Sequence, residues 1–156
     1  KTKLKKYGLE YLSKYSTSKK NLIDILKRKI LKITKEKKER FFLYNTIDEI
    51  IKEFDEKNFI NDENYTNSKI NFLIMQGKSK NYIFNYLIKK GIEKNLINQS
   101  LINLDHKKAD WEIDSAKIFI RKKRLIFSDE INKKKNIAKM IRAGFNYELI
   151  KKNFLN

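Results

Sequence analysis

Apolar residues recur along this chain mostly at spacings of three and four. Leu22, Ile23, Leu26 and Ile30 do so, as do Ile47, Ile50, Ile51 and Phe54. Ile83, Leu87 and Ile88 continue the pattern, and Ile97, Leu101 and Leu104 follow. This is the period of one helix face and not the alternation of a strand. The periodic stretches are short, and small turns separate them. With no proline in the chain, the pattern predicts an all-α protein of roughly eight or nine helices.

The turns are informative in their own right. GIEKNLI at 91–97 and GFNYELI at 144–150 share the order glycine, apolar, three residues, Leu-Ile. Gly91 and Gly144 are placed to end a helix with a positive φ. Ile92 and Phe145 then precede the next N-cap, Glu93 or Asn146, and pair with Ile97 and Ile150 as hydrophobic staples. Asparagine is the better cap of the two. In FINDENY, residues 59–65, Asn61 or Asp62 caps the next helix. With Asn61 as cap, Ile60 and Tyr65 form the staple, and Asp62 and Glu63 face the positive end of the helix dipole. Ser18 and Ser79 are further cap candidates, and Thr46 with Glu49 reads as a capping box.

These boundaries predict three tandem three-helix units of about fifty residues, at 1–58, 59–105 and 106–156. The helices fall near 4–15, 18–31 and 46–57, then 62–76, 79–90 and 93–104, then 108–124, 134–143 and 146–154. Leu26, Leu87 and Met140 occupy matching places in the three middle helices. Such units bury one another's apolar faces and are expected to form an elongated, curved body. Residues 32–45, KITKEKKERFFLYN, interrupt the first unit as a basic and aromatic insert.

Composition adds a partner class. The 156 residues carry a formal charge of +18, which calls for a polyanion or an acidic surface. Only five of the cations are arginine, and the abundance of Lys, Asn, Ile, Phe and Tyr fits an AT-rich coding sequence. Some individual lysines therefore belong to ordinary solvated faces. There is no cysteine, so thiolate chemistry and disulfides are excluded, and a cytoplasmic setting is expected. No apolar run approaches the ~20 residues of a membrane span. The first residues, KTKLKKYGLEYL, have no apolar signal-peptide core.

The order of these helix starts and stops resembles the RecX family, regulators of the RecA recombinase. Asp62 and Tyr65 look like the family's D-x-x-[FY] helix start, and Gly77, Ile83, Leu87 and Gly91 fit its G-x5-I-x3-L-x3-G run. Ala116 with Lys122 and Lys123 is similar to its A-x-x-x-A, lysine-rich segment, and Gly144-Phe145 to its G-F-[ST] turn. Ser18, Leu22 and Leu26 resemble its S-x-x-E-L-x3-L start. The likeness is strongest over 59–154. Asn21 stands where Glu is usual, Thr66 and Lys69 where small and apolar residues are usual, Ile30 where glycine is usual, and Asn146 where Ser or Thr is usual. The resemblance implies a monomeric, non-enzymatic regulator. It would bind in the groove of a RecA filament on single-stranded DNA, inhibit ATP hydrolysis and strand exchange, and favour disassembly.

The residues themselves offer little chemistry. His106 is the only histidine, which excludes a histidine-based metal cluster, and no P-loop is present. No cofactor is expected. Asp110 and Asp114, four apart, admit a Mg²⁺ or acid–base pair, though a solvated face explains them as well. Trp111 and the Tyr82/Tyr86 pair admit base stacking, though at helical spacing among Ile and Leu they read first as packing. The functional expectation rests on cations. Lys117, Arg121 and Arg124 fall at i, i+4 and i+7, and Lys122 and Lys123 widen the stripe. Lys78 and Lys80 flank a helix start, Lys89 and Lys90 a helix end, and Arg142, Lys151 and Lys152 close the chain. Phosphate contacts of this kind carry no sequence information. A direct nucleic-acid-binding regulator is therefore the competing class, with 79–90 and 93–104 as a helix-turn-helix look-alike. The second of those helices has only Lys94 as a basic reader.

Overall fold

The computed structural model describes residues 1–155, and among them it contains nine α-helices and no strand. In chain order these are α1 Thr2–Lys14, α2 Lys19–Ile33, α3 Lys37–Glu56, α4 Asp62–Met75, α5 Lys80–Lys89, α6 Lys94–Lys107, α7 Trp111–Lys123, α8 Glu130–Arg142 and α9 Tyr147–Phe154. The all-α fold class is as the periodicity predicts. Among the described residues no helix is long and apolar enough to cross a membrane.

By mutual contact the chain divides into two compact units. One holds Lys1–Tyr65 with Lys90–Ile92, and the other holds Thr66–Lys89 with the chain from Glu93 onward. In the first unit, Leu4 of α1, Leu22, Leu26 and Ile30 of α2, and Ile47, Ile50 and Phe54 of α3 form one core. In the second, Ala116, Met140, Phe145 and Ile150 bring α7, α8 and α9 together, while Ile83 and Leu87 of α5 and Ile97 and Leu101 of α6 are also buried. Each fully buried Leu or Ile contributes about 1.5–3 kcal/mol. The i, i+3, i+4 register of these residues is what makes the segments helical in context.

The stretch 32–45 is helical for most of its length. α2 runs on to Ile33, and α3 begins at Lys37 and is a 20-residue helix. Buried Leu43 extends the apolar face of Ile47, Ile50 and Phe54 by one turn. The expected capping box at Thr46 is therefore absent. Thr46 lies inside α3, and its hydroxyl donates to the Leu43 carbonyl at 2.7 Å. Glu49 instead pairs with Lys1. The capping pattern was present in sequence, but a cap forms only where the backbone leaves the helix.

The other caps follow the sequence. The side chains of Ser18, Ser79 and Asn146 accept from Asn21, Tyr82 and Leu149 N–H, at 3.2, 3.1 and 3.0 Å. Asn61 accepts from Asn64 N–H at 3.0 Å. Glu93 occupies the N-cap of α6 without a side-chain bond. Gly77, Gly91 and Gly144 have φ of 81°, 79° and 99°. At Gly144 the N–H bonds the Ile141 carbonyl and the next N–H, of Phe145, bonds Met140, which closes α8 as a Schellman turn.

Two of these caps have a second partner that links helices distant in sequence. Ser18 also donates to the Lys90 carbonyl at 2.6 Å, and the adjacent Lys19 N–H is accepted by the Asp62 carboxylate at 2.9 Å. Ser79 donates to the Ala143 carbonyl at 2.8 Å, and the adjacent Lys80 N–H is accepted by the Glu112 carboxylate at 2.8 Å. In both cases the accepting carbonyl precedes the turn glycine, Gly91 or Gly144. A Cβ at Gly144 would lie 2.3 Å from the Ser79 hydroxyl oxygen. Each clasp satisfies one buried cap hydroxyl, one backbone N–H and one helix-terminal carbonyl.

Thr66 breaks this economy. Its hydroxyl is buried and, among the described residues, has no hydrogen-bond partner. Thr66→Val keeps the shape and removes the stranded hydroxyl, so it should raise the unfolding free energy by about 1 kcal/mol. Urea unfolding measures this, and an unchanged or lower midpoint contradicts it.

Candidate functional site

The last turn of α7 carries Arg121, Lys122 and Lys123, and all three are exposed. Cations here oppose the negative end of the helix dipole, so part of their placement is helix stability. Arg124 does not continue the stripe as the i, i+7 spacing predicted. It lies beyond the helix end at φ 52°, and the Leu125 N–H bonds back to the Ile120 carbonyl at 3.0 Å. The arginine thus occupies the left-handed position where glycine costs least. Lys117 and Arg121, four apart, share the helix face. Among the described residues none of Lys117, Arg121, Lys123 and Arg124 forms an ion pair. Lys122 donates to the Gln76 carbonyl at 3.3 Å.

The remaining predicted cations are dispersed. Lys78 sits with its ammonium 4.5 Å from the centre of the Tyr82 ring. Tyr82, expected to pack inward, is 40% exposed and stacks on Tyr86 at 6.4 Å. Lys80 is committed to structure through an ion pair with Asp105 at 2.9 Å. Lys89 is exposed at the end of α5, Arg142 at the end of α8, and Lys151 and Lys152 on α9. Lys90 lines a hollow in the first unit with Arg28, Lys29 and Lys32, residues that the charge runs did not single out. Their spacing on α2 was the available signal, diluted by lysine everywhere.

Most of the groups with catalytic potential are engaged structurally. Trp111 is buried and donates its indole N–H to Asp105 at 2.8 Å, as a packing residue and not a stacking platform. Burial works against the Asp105 carboxylate, but hydrogen bonds from Lys80 and Trp111 outweigh it and hold its pKa below the usual range. Burial pushes the Glu112 carboxyl up, opposed by its bond from the Lys80 N–H. Asp114 pairs with Lys108 at 3.3 Å, while Asp110 is the N-cap of α7 without a side-chain bond. His106 is exposed in the last turn of α6. Among the described residues no cluster of His, Cys, Asp and Glu suits a metal ion.

No family model matches the chain. A curated relative, "Regulatory protein RecX" of Myxococcus xanthus, is 28% identical over 158 residues, spanning 97% of this chain and 83% of that protein. The crystal structure of RecX from Lactobacillus salivarius superposes with a TM-score of 0.73 at 24% identity, covering 99% of this chain and 94% of that one. A second crystal structure, of the regulatory protein RecX, gives 0.69 at 18% identity, covering 96% and 69%. The chain is thus similar to RecX proteins over nearly its whole length in sequence and has the fold of the RecX crystal structures.

The residues that carry the RecX resemblance have identifiable structural tasks. Tyr65, Ile83, Leu87 and Phe145 are buried, and Gly77, Gly91 and Gly144 end helices. Asp62 does not cap its own helix, a role taken by Asn61, but receives the N-terminus of α2. Asn21, in place of the usual Glu, donates its amide to Thr17 Oγ1 at 2.6 Å. Ile30, in place of glycine, is fully buried in the first core. These positions specify a RecX fold, and none of them is a reactive group.

Proposed function

We propose that the chain binds RecA and its nucleoprotein filament, inhibits ATP hydrolysis and strand exchange, and so modulates recombination and DNA repair. It does this as a monomeric cytoplasmic regulator and not as an enzyme. The observation that carries the reading is the cationic end of α7. Among the described residues Arg121, Lys123 and Arg124 are exposed without an acidic partner, and one arginine is held in a strained backbone conformation. Similarity to RecX proteins supports RecA as the partner. A surface of this sign meets acidic patches of the recombinase or phosphates of the strand it coats. The twice-occurring serine clasp supports a reading of the chain as three tandem three-helix repeats, at 1–58, 59–105 and 106–156.

The test is ATP hydrolysis by RecA on single-stranded DNA while the chain is titrated in at physiological salt. Inhibition is expected at protein levels far below those needed to coat the DNA, because occupying a filament requires few molecules. Inhibition that appears only at coating levels and vanishes with added salt contradicts it, and identifies a general DNA binder.

A further inference from the structure

We propose that the trough between α1 and α2 is a binding site for single-stranded nucleic acid, with bases stacked against Tyr11 and phosphates held by Arg28, Lys29 and Lys32. Two adjoining hollows, of about 580 and 450 Å³, share Tyr7, Lys29 and Lys32 and form one trough. Tyr11 and Arg28 line the first part, and Lys3 and Lys6 line the second. One carboxylate, Glu10, reaches the trough.

The charge here is segregated. Lys1, Lys5 and Lys19 in the same unit are paired with Glu49, Glu53 and Asp55 of α3. Among the described residues Lys3, Lys6, Arg28, Lys29 and Lys32 form no ion pair. The cations that face α3 are thus neutralised, and Lys3 and Lys6 of α1 join Arg28, Lys29 and Lys32 of α2 in a run of cations.

Aromatic rings identify the ligand. Tyr7 and Tyr11 are half-buried, with one side against the first core and the other lining the hollows. The Lys29 ammonium lies 4.5 Å from the Tyr7 ring centre, and Tyr11 meets Tyr15 at 4.9 Å. Stacking platforms beside a cationic track are the recognition chemistry of unpaired strands. A duplex keeps its base faces covered, and an acidic peptide has no base to stack. Two linked hollows with cations along both suit several successive phosphates better than a free nucleotide.

The test needs no RecA, so its failure leaves the filament reading untouched. Binding of a short labelled oligothymidylate to the whole chain is followed by fluorescence anisotropy across a salt series. Arg28→Gln with Lys29→Gln and Lys32→Gln is compared with the same charge removed from α8 at Lys133, Lys134 and Lys135. The α2 variant should lower the slope of log K against log salt by about 2, at roughly 0.7 per phosphate contact, and the α8 variant should not. Tyr11→Leu should weaken binding about tenfold with the slope unchanged, as loss of one stacked base would. Circular dichroism confirms that each variant remains helical. Equal behaviour of the α2 and α8 variants overturns the proposal. So does displacement of the strand by a nucleoside triphosphate at equal concentration, which would make this a mononucleotide pocket. Equal affinity for a duplex, lost in the same α2 variant, overturns it as well.

Discussion

Replacing Arg121, Lys122, Lys123 and Arg124 together by glutamate should abolish the proposed inhibition of RecA and leave the helical fold intact. Four exposed cations become four anions on one segment, so attraction to an acidic or phosphate surface turns into repulsion. A loss of about 3 kcal/mol, roughly a hundredfold in the half-inhibitory concentration, is a conservative expectation for several charge pairs. The glutamates also oppose the dipole at the C-terminal end of α7, at about 0.3–1 kcal/mol each. Glutamine at the same four positions removes the attraction without that penalty and should fall between the two. Circular dichroism and thermal unfolding monitor the fold, and the RecA ATPase titration reads function. Full inhibition by the glutamate variant would remove α7 from the interface.

The second large effect is structural. Ser79→Ala should destabilise the protein by about 2–4 kcal/mol. The cap of α5 accounts for about 1 kcal/mol. The Ala143 carbonyl, left without its donor near a buried turn, accounts for about 1–3 more. For a chain of this length that lowers the melting temperature by roughly 4–16 °C. Asn146→Ala is the control, because Asn146 caps α9 from an exposed position, with only its own helix as partner. It should cost only about 1 kcal/mol. Gly144→Ala should resemble Ser79→Ala, since the new Cβ collides with the serine hydroxyl and the backbone is left-handed. If Ser79→Ala costs no more than Asn146→Ala, the cross-helix bond contributes nothing.

Much of this protein is local, and what is local was legible. The three and four spacing of Leu22, Leu26, Ile83, Leu87, Ile97 and Leu101 specifies helices because each segment has one face to bury. Ser18, Ser79 and Asn146 are caps because their side chains reach N–H groups three residues on. Gly91 and Gly144 turn because only glycine enters a left-handed conformation at little cost. The order of these starts and stops was enough to reveal the resemblance to RecX proteins that the sequence match and the shared fold support.

Partners distant in the chain were decided elsewhere. Thr46 and Glu49 match a capping box, yet Leu43 extends the buried face of α3 and the helix passes through them. Tyr82 stands among Ile83 and Leu87 in sequence, but helical rotation turns its ring to the surface. Arg124 continues a helical spacing, yet α7 ends at Lys123 and Arg124 is itself the left-handed residue of the turn. The second bonds of Ser18 and Ser79, and the gathering of Arg28, Lys29 and Lys32 beside Lys3 and Lys6, arise only when helices pack. A helix start or stop is encoded within four residues by backbone geometry. Which cations keep a carboxylate partner and which face a trough depends on where the other helices lie, and only the tertiary structure supplies that.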